Sequence, residues 1–230
     1  MINMKKNIKK MNEKERLYLL DMFNNMSSLK EKHFFVLKEL SKDKDSYIRS
    51  EAAALLINFE SNQSKNILLR LAKDNDSLVR TEAYDSLKVF PLEEVEEFLK
   101  NAICREKNQL ARSYAIMSWA IIVRDLYKKV SERHLTFMRK QMELEKGEHC
   151  LLEWMFAKYI LGEEKSIQNI LAFLDSKDYH IRCGVVNTLK NILHEDNEEE
   201  IHNVMEALLL QEKTVAVISL AEELLYDIKN

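Results

Sequence analysis

DNDSLVRTEAYDSL, running from Asp74 to Leu87, is a pattern that the chain repeats. Its spaced positions are Asp74, Asp76, Val79, Arg80, Ala83 and Leu87, and upstream they return as Asp43, Asp45, Ile48, Arg49, Ala52 and Leu56. The two arginines are 31 residues apart. A further copy, SKDYHIRCGVVNTL, supplies Asp178, Ile181, Arg182 and Val185, and places Arg182 102 residues after Arg80, about three more repeat lengths. Self-similarity at this period predicts a tandem array of helical hairpins.

Composition points the same way. Three Gly and one Pro in 230 residues leave almost nothing from which to build strand turns or flexible linkers, so the fold is expected to be all-α. Hydrophobic residues make up 46% and charged residues 32%, enough apolar surface for one continuous core under a charged exterior. Cys104, Cys150 and Cys183 stand at no ligand spacing in a chain too long to need disulfides, which suits a reducing cytoplasm. Near the start, Lys5, Lys6, Lys9 and Lys10 precede a polar NEKER run where a signal peptide needs apolar residues. The longest apolar window, Ala115 to Val123, is broken by Ser118 and is too short to span a bilayer. Charge is lopsided: residues 1–150 carry a net +5 and residues 151–230 a net −8. An acidic C-terminal third can steer a basic partner, and it also serves simple solubility.

Residues 1–27 read as a basic lead-in and a capping helix that starts near Asn12 and covers the first repeat's apolar end. The repeat array occupies 28–230 as one continuous domain, with hairpins at about 28–59, 64–90, 92–123, 131–161, 164–193 and 201–228. In the third hairpin Ala111, Arg112 and Ala115 take the places of Val79, Arg80 and Ala83. The fourth has neither the Asp nor the Arg, its register is uncertain, and in the last Ile218 stands where Arg is expected.

The motif Asp-x-Asp-x-x-[Val/Ile]-Arg-x-x-Ala at this period resembles the HEAT and phycobilisome-lyase-type HEAT-like repeats, part of the broader armadillo-like solenoids, over roughly residues 28–228. The resemblance implies an α-solenoid, a right-handed superhelix of five to six hairpins, with first helices outside and second helices lining a concave face. The pattern has its own mechanics. An Asp just before the second helix can cap it, and an Arg in the first turn can reach that turn's carboxylate or its equivalent in the next repeat. Asp45, Arg49, Asp76, Arg80, Arg112, Asp178 and Arg182 are therefore expected to form a structural ladder.

Catalytic signatures are missing from the sequence. His149 beside Cys150, and His180 with Cys183, supply too few ligands for zinc, and three glycines cannot build a phosphate-cradling loop. No cofactor is expected. The HEAT-like alkylpurine DNA glycosylases need an aspartate one turn from a tryptophan; here Trp119 is followed by Val123 and Trp154 by Lys158, so the motif is not matched. Trp119 also aligns with the core position Leu87.

What remains is a surface. If Val79 and Ala83 face inward, Tyr84 and its neighbours face the concavity; the equivalents are Ile116, Met117 and Ala120 in the third repeat, Met155, Phe156 and Tyr159 near the fourth, and Asn187 in the fifth. The two middle second helices are apolar nearly all round. Either tight curvature buries them on both sides, or they floor a hydrophobic groove for a partner helix or peptide. The expected function is a non-enzymatic, cytoplasmic scaffold, adaptor or inhibitor that binds a partner protein in its concave face. Nucleic-acid binding and a bilin-lyase-like role are the alternatives.

Overall fold

A helix start leaves four backbone N–H groups unanswered, and the residues that answer them here recur with the repeat. In the computed structural model, which describes residues 8, 10–163 and 166–229, Asp45, Asp76, Asn108 and Asp178 each stand at the N-cap of a second helix and accept from one of the first N–H groups at 2.8–3.0 Å. The chain falls into two compact units, Met1–Val130 and Ser131–Asn230, where repeat spacing alone predicts one continuous array. All the regular structure among the described residues is helical.

The first unit contains α1 (Glu13–Asn24), α2 (Glu31–Leu40), α3 (Ser46–Leu55), α4 (Asn62–Leu71), α5 (Ser77–Leu87), α6 (Glu93–Arg105) and α7 (Gln109–Leu126). Asn12 and Glu15 close a reciprocal capping box at the start of α1, as the N-cap reading of Asn12 expects. The second helices pack directly on one another, α3 on α5 and α5 on α7, and each also packs on its own first helix. Small residues permit this: Ala52, Ala83 and Ala115 are fully buried, and the Ser86 hydroxyl donates to the Ala53 carbonyl across the α3–α5 contact at 2.9 Å. Helix α4 begins at Asn62, capped by Ser61, two residues before the expected boundary. Ser64 is therefore inside the helix, buried, and donates to the Leu56 carbonyl.

The second unit contains α8 (Glu132–Leu144), α9 (Glu148–Ile160), α10 (Gln168–Leu171), α11 (Tyr179–Ile192), α12 (Glu198–Gln211) and α13 (Val215–Lys229). Again the second helices form a packed row, α9 on α11 and α11 on α13. Two glycines matter here. Gly162 at φ 77° ends α9 with the paired bonds Gly162 N–H to Tyr159 O and Glu163 N–H to Lys158 O, a left-handed cap that any side chain would strain. Gly184 lies where an added Cβ would meet Leu152 Cδ2 at 3.0 Å, so its lack of a side chain sets the α9–α11 approach. The first helix of the fifth hairpin is the irregular one: α10 is four residues long and runs into a 3₁₀ turn, Ala172–Asp175.

Candidate functional site

The Arg rungs define which face of each second helix is occupied by neighbours. Arg49 donates from Nε and Nη2 to both carboxylate oxygens of Asp74 in the next turn, at 2.9 and 2.8 Å, while Nη1 donates to the Asp43 and Lys44 carbonyls of its own turn. Arg80 repeats this on Glu106 at 2.6 and 2.9 Å and on the Asp74 and Asn75 carbonyls. In the second unit Arg182 holds Glu212 at 2.7 and 3.0 Å and donates to the Ser176 carbonyl. Arg112 donates to the Glu106 carbonyl.

This corrects the expected ladder. Asp45, Asp76 and Asp178 are caps; the rungs end on the acid two residues before the cap, Asp74, Glu106 and Glu212. Arg16 in α1 also belongs, with Nε 2.9 Å from Asp43 and Nη1 donating to the Met11 carbonyl. In every case the arginine is four residues after the N-cap, a spacing that identifies Arg16, Glu106 and Glu212 in the sequence. Burial pushes the Glu106 and Asp74 carboxyls up, but their arginine and backbone hydrogen bonds outweigh it and leave both below the ordinary range. Glu212 is held down at about 2, chiefly by Arg182.

With both flanks and the inner side occupied, α3 and α5 each keep one open strip. Tyr84, Ile116, Met117, Ala120 and Phe156, expected on a binding surface, are buried at 3%, 0%, 8%, 0% and 1% exposure. They are core. For Tyr84 and Ile116 the reason is geometric: the position four residues after the rung arginine turns toward the adjacent second helix rather than away from it. Met155 and Tyr159 are half-buried, and the Tyr159 hydroxyl sits 3.2 Å from His194 Nε2 and accepts from Asn197 Nδ2 at 3.2 Å. Asn187 is exposed on α11. Trp119 and Trp154 are fully buried.

In the first unit the open strip consists of Tyr47, Glu51 and Ala54 on α3 and Leu78, Glu82 and Asp85 on α5, two before, two after and five after the rung arginine, with Leu110 and Tyr114 on α7, where the third position, Met117, is buried. Tyr47, Leu78 and Leu110 form a row of exposed large apolar side chains at 52%, 41% and 42%. Beside it lie Glu51, Glu82 and Asp85. Asp85 is paired with Lys88 at 2.7 Å, but Glu82, half-buried, has no hydrogen bond or ion pair among the described residues. Burial, with Asp85 and Glu51 adding repulsion, raises its carboxyl to about 7. Glu51 also pushes the Tyr47 hydroxyl up.

His180 bonds its own cap Asp178 and lies on the Tyr179 ring with centroids 3.9 Å apart. Burial lowers His149 and raises the Cys183 thiol. Among the described residues no three His, Cys, Asp or Glu side chains converge as a metal site requires, and no helix is long and apolar enough to cross a membrane.

The family model for HEAT repeats matches residues 35–120. No curated protein matches the chain. Among solved structures it is similar to human deoxyhypusine hydroxylase in complex with glycerol, at 14% identity, over 99% of this chain and 98% of that one, with a TM-score of 0.46. That neighbour is an enzyme, and the expectation of a non-enzymatic chain is withdrawn. At this identity the likeness assigns neither activity nor substrate to the chain. Between residues 35 and 120 the Asp- and Asn-capped second helices, joined by arginine rungs, match the HEAT-repeat pattern.

Proposed function

We propose that this chain binds a partner protein on the open strip of the first unit, and that the occupant is a cationic amphipathic helix. The observation that supports it is Glu82, a half-buried carboxyl with no ion pair among the described residues, since the nearby Lys88 is held by Asp85; it is set between Glu51 and Asp85 and beside the exposed row Tyr47, Leu78, Leu110. An isolated carboxylate in that position is unfavourable until a cation arrives, and Lys or Arg on a helix brings both the charge and an apolar stem. The apolar row then receives the helix's hydrophobic stripe, with Tyr47 and Tyr114 as rigid anchors. A nucleic-acid backbone suits the strip poorly, because its phosphates meet carboxylates. Met155, Tyr159 and Asn187 are left outside the proposed surface. We read the site of action as the cytoplasm, where Cys104, Cys150 and Cys183 stay reduced.

The test is a titration of the full chain with two synthetic helices of identical apolar pattern, one bearing Lys and the other Glu on its polar face. The Lys helix is expected to bind at least tenfold more tightly, and Glu51→Lys/Glu82→Lys is expected to invert that preference. Equal binding of both helices, or no change on charge reversal, would refute the strip as a cation-selective docking surface.

A further inference from the structure

The edge of the first unit where its turns align carries a second feature that the strip does not use. A cleft of about 650 Å³ opens between the turn after α4 and the end of α6, in the size range of small-ligand sites. Both carboxylates on its wall are already committed, Asp74 to Arg49 and Glu106 to Arg80, each bidentately. Three further cations line the same space, Lys73, Arg105 and Lys107, and none has an ion pair among the described residues. Lys73 rests over the Phe98 ring, its Nζ 5.6 Å from the centroid. Asn75 and Asn101 add side-chain amides.

We propose that this cleft binds a phosphate ester. Cations brought together without counter-ions raise the local positive potential, and a ligand of two or more charges relieves it at one stroke. A phosphate ester carries several acceptor oxygens and more than one charge, which matches an Arg fork, two ammonium groups and two amides better than a single carboxylate does. Phe98 offers an apolar wall to the body of the ester, once Lys73 swings from the ring toward the anion. The internal arginine rungs matter to this chemistry: by neutralising Asp74 and Glu106 they leave the lysines and Arg105 free to meet a ligand. The same phosphate chemistry can come from a nucleotide-sized metabolite or from a polynucleotide backbone.

Isothermal titration of the full chain with inorganic triphosphate and with a nucleoside triphosphate, beside fluorescence anisotropy with a labelled single-stranded oligonucleotide, separates these sources. The variants are Lys73→Glu/Arg105→Glu and, as a control on the exposed surface of the second unit, Lys140→Glu; all three residues are exposed, so the fold should persist and is checked by circular dichroism. Saturable binding of at least one phosphate probe, weakened tenfold or more in the double variant and unchanged in the control, is the expected result. Triphosphate binding identifies a small ester, and oligonucleotide binding alone identifies a backbone. The proposal is overturned if the folded wild type binds none of the probes saturably. It is overturned equally if the double variant binds like the wild type, or if the control loses as much as the double variant.

Discussion

The first 130 residues and the last 100 are built from the same hairpin, yet they are tied differently. In the first unit three rungs follow in register, Arg16 to Asp43, Arg49 to Asp74 and Arg80 to Glu106, and every hairpin has two regular helices. In the second, Arg182 holds Glu212, α9 is capped by Gly147 with no side-chain bond, and α10 gives way to a 3₁₀ turn. Ile218 in α13 stands at the rung position and cannot donate. The difference teaches what the Asp and Arg of the motif each do. The Asp at the cap fixes where a second helix starts, and the Arg fixes how far it sits from the next turn.

Breaking a rung should have the largest effect. Glu106 is 5% exposed at its side chain, so Arg80→Ala leaves a buried carboxylate without its partner and is expected to cost about 2–4 kcal/mol in urea unfolding. Arg182→Ala should cost a similar amount, because Glu212 is 6% exposed. A cost under about 1 kcal/mol in both would mean that backbone capping alone spaces the repeats.

Acid sharpens the same contrast. The Glu212 carboxyl is held at about 2 in the folded chain, below its ordinary 4.5. Its contribution to stability is present above pH 4.5 and is lost as pH falls toward 2. Glu82 in the first unit behaves oppositely. Its folded value of about 7 lies above 4.5, so stability falls as pH rises from 4.5 to about 7, where the unfolded chain gives up the proton that the folded chain keeps. Glu82→Gln should therefore stabilise the chain at pH 8, by about 1 kcal/mol after solvent screening, and should make little difference at pH 4. Thermal melts at the two pH values check this; a loss of stability at pH 8 would show that Glu82 already has a favourable partner.

Removing a cap comes next, at about 1 kcal/mol for Asp76→Ala. The smallest effect is expected for exposed Arg139, which pairs with Glu132 at 2.7 Å and also with Glu163; Arg139→Ala should leave the urea midpoint essentially unchanged.

Much of the fold was legible before any coordinates. The repeat period located the hairpins, and the caps at Asp45, Asp76 and Asp178 followed from residue type and place. The rung acceptors were less visible because Asp43, Glu106 and Glu212 differ in type; only their fixed distance from the arginine unites them. Which positions are exposed was misread by about one residue. Buried Tyr84 sits one position before the strip residue Asp85, and on a helix one residue is about 100° of rotation, enough to move a side chain from open surface to the contact with the next helix. Apolar character could not correct this, since a helix packed on three sides is apolar nearly all round. Glu82 was overlooked for the same reason: its unpaired state depends on what neighbouring helices fail to place beside it.

Site-specific photocrosslinking in the native source tests the central claim most directly, with the photoreactive residue placed at Leu78 or Leu110 on the strip and at exposed Leu144 in the second unit as the reference. The account predicts one protein captured from the two strip positions and not from Leu144, through a segment with Lys or Arg and apolar residues at helical spacing, and lost in Glu51→Lys/Glu82→Lys. Capture through an acidic segment, or equal capture from Leu144, would contradict it.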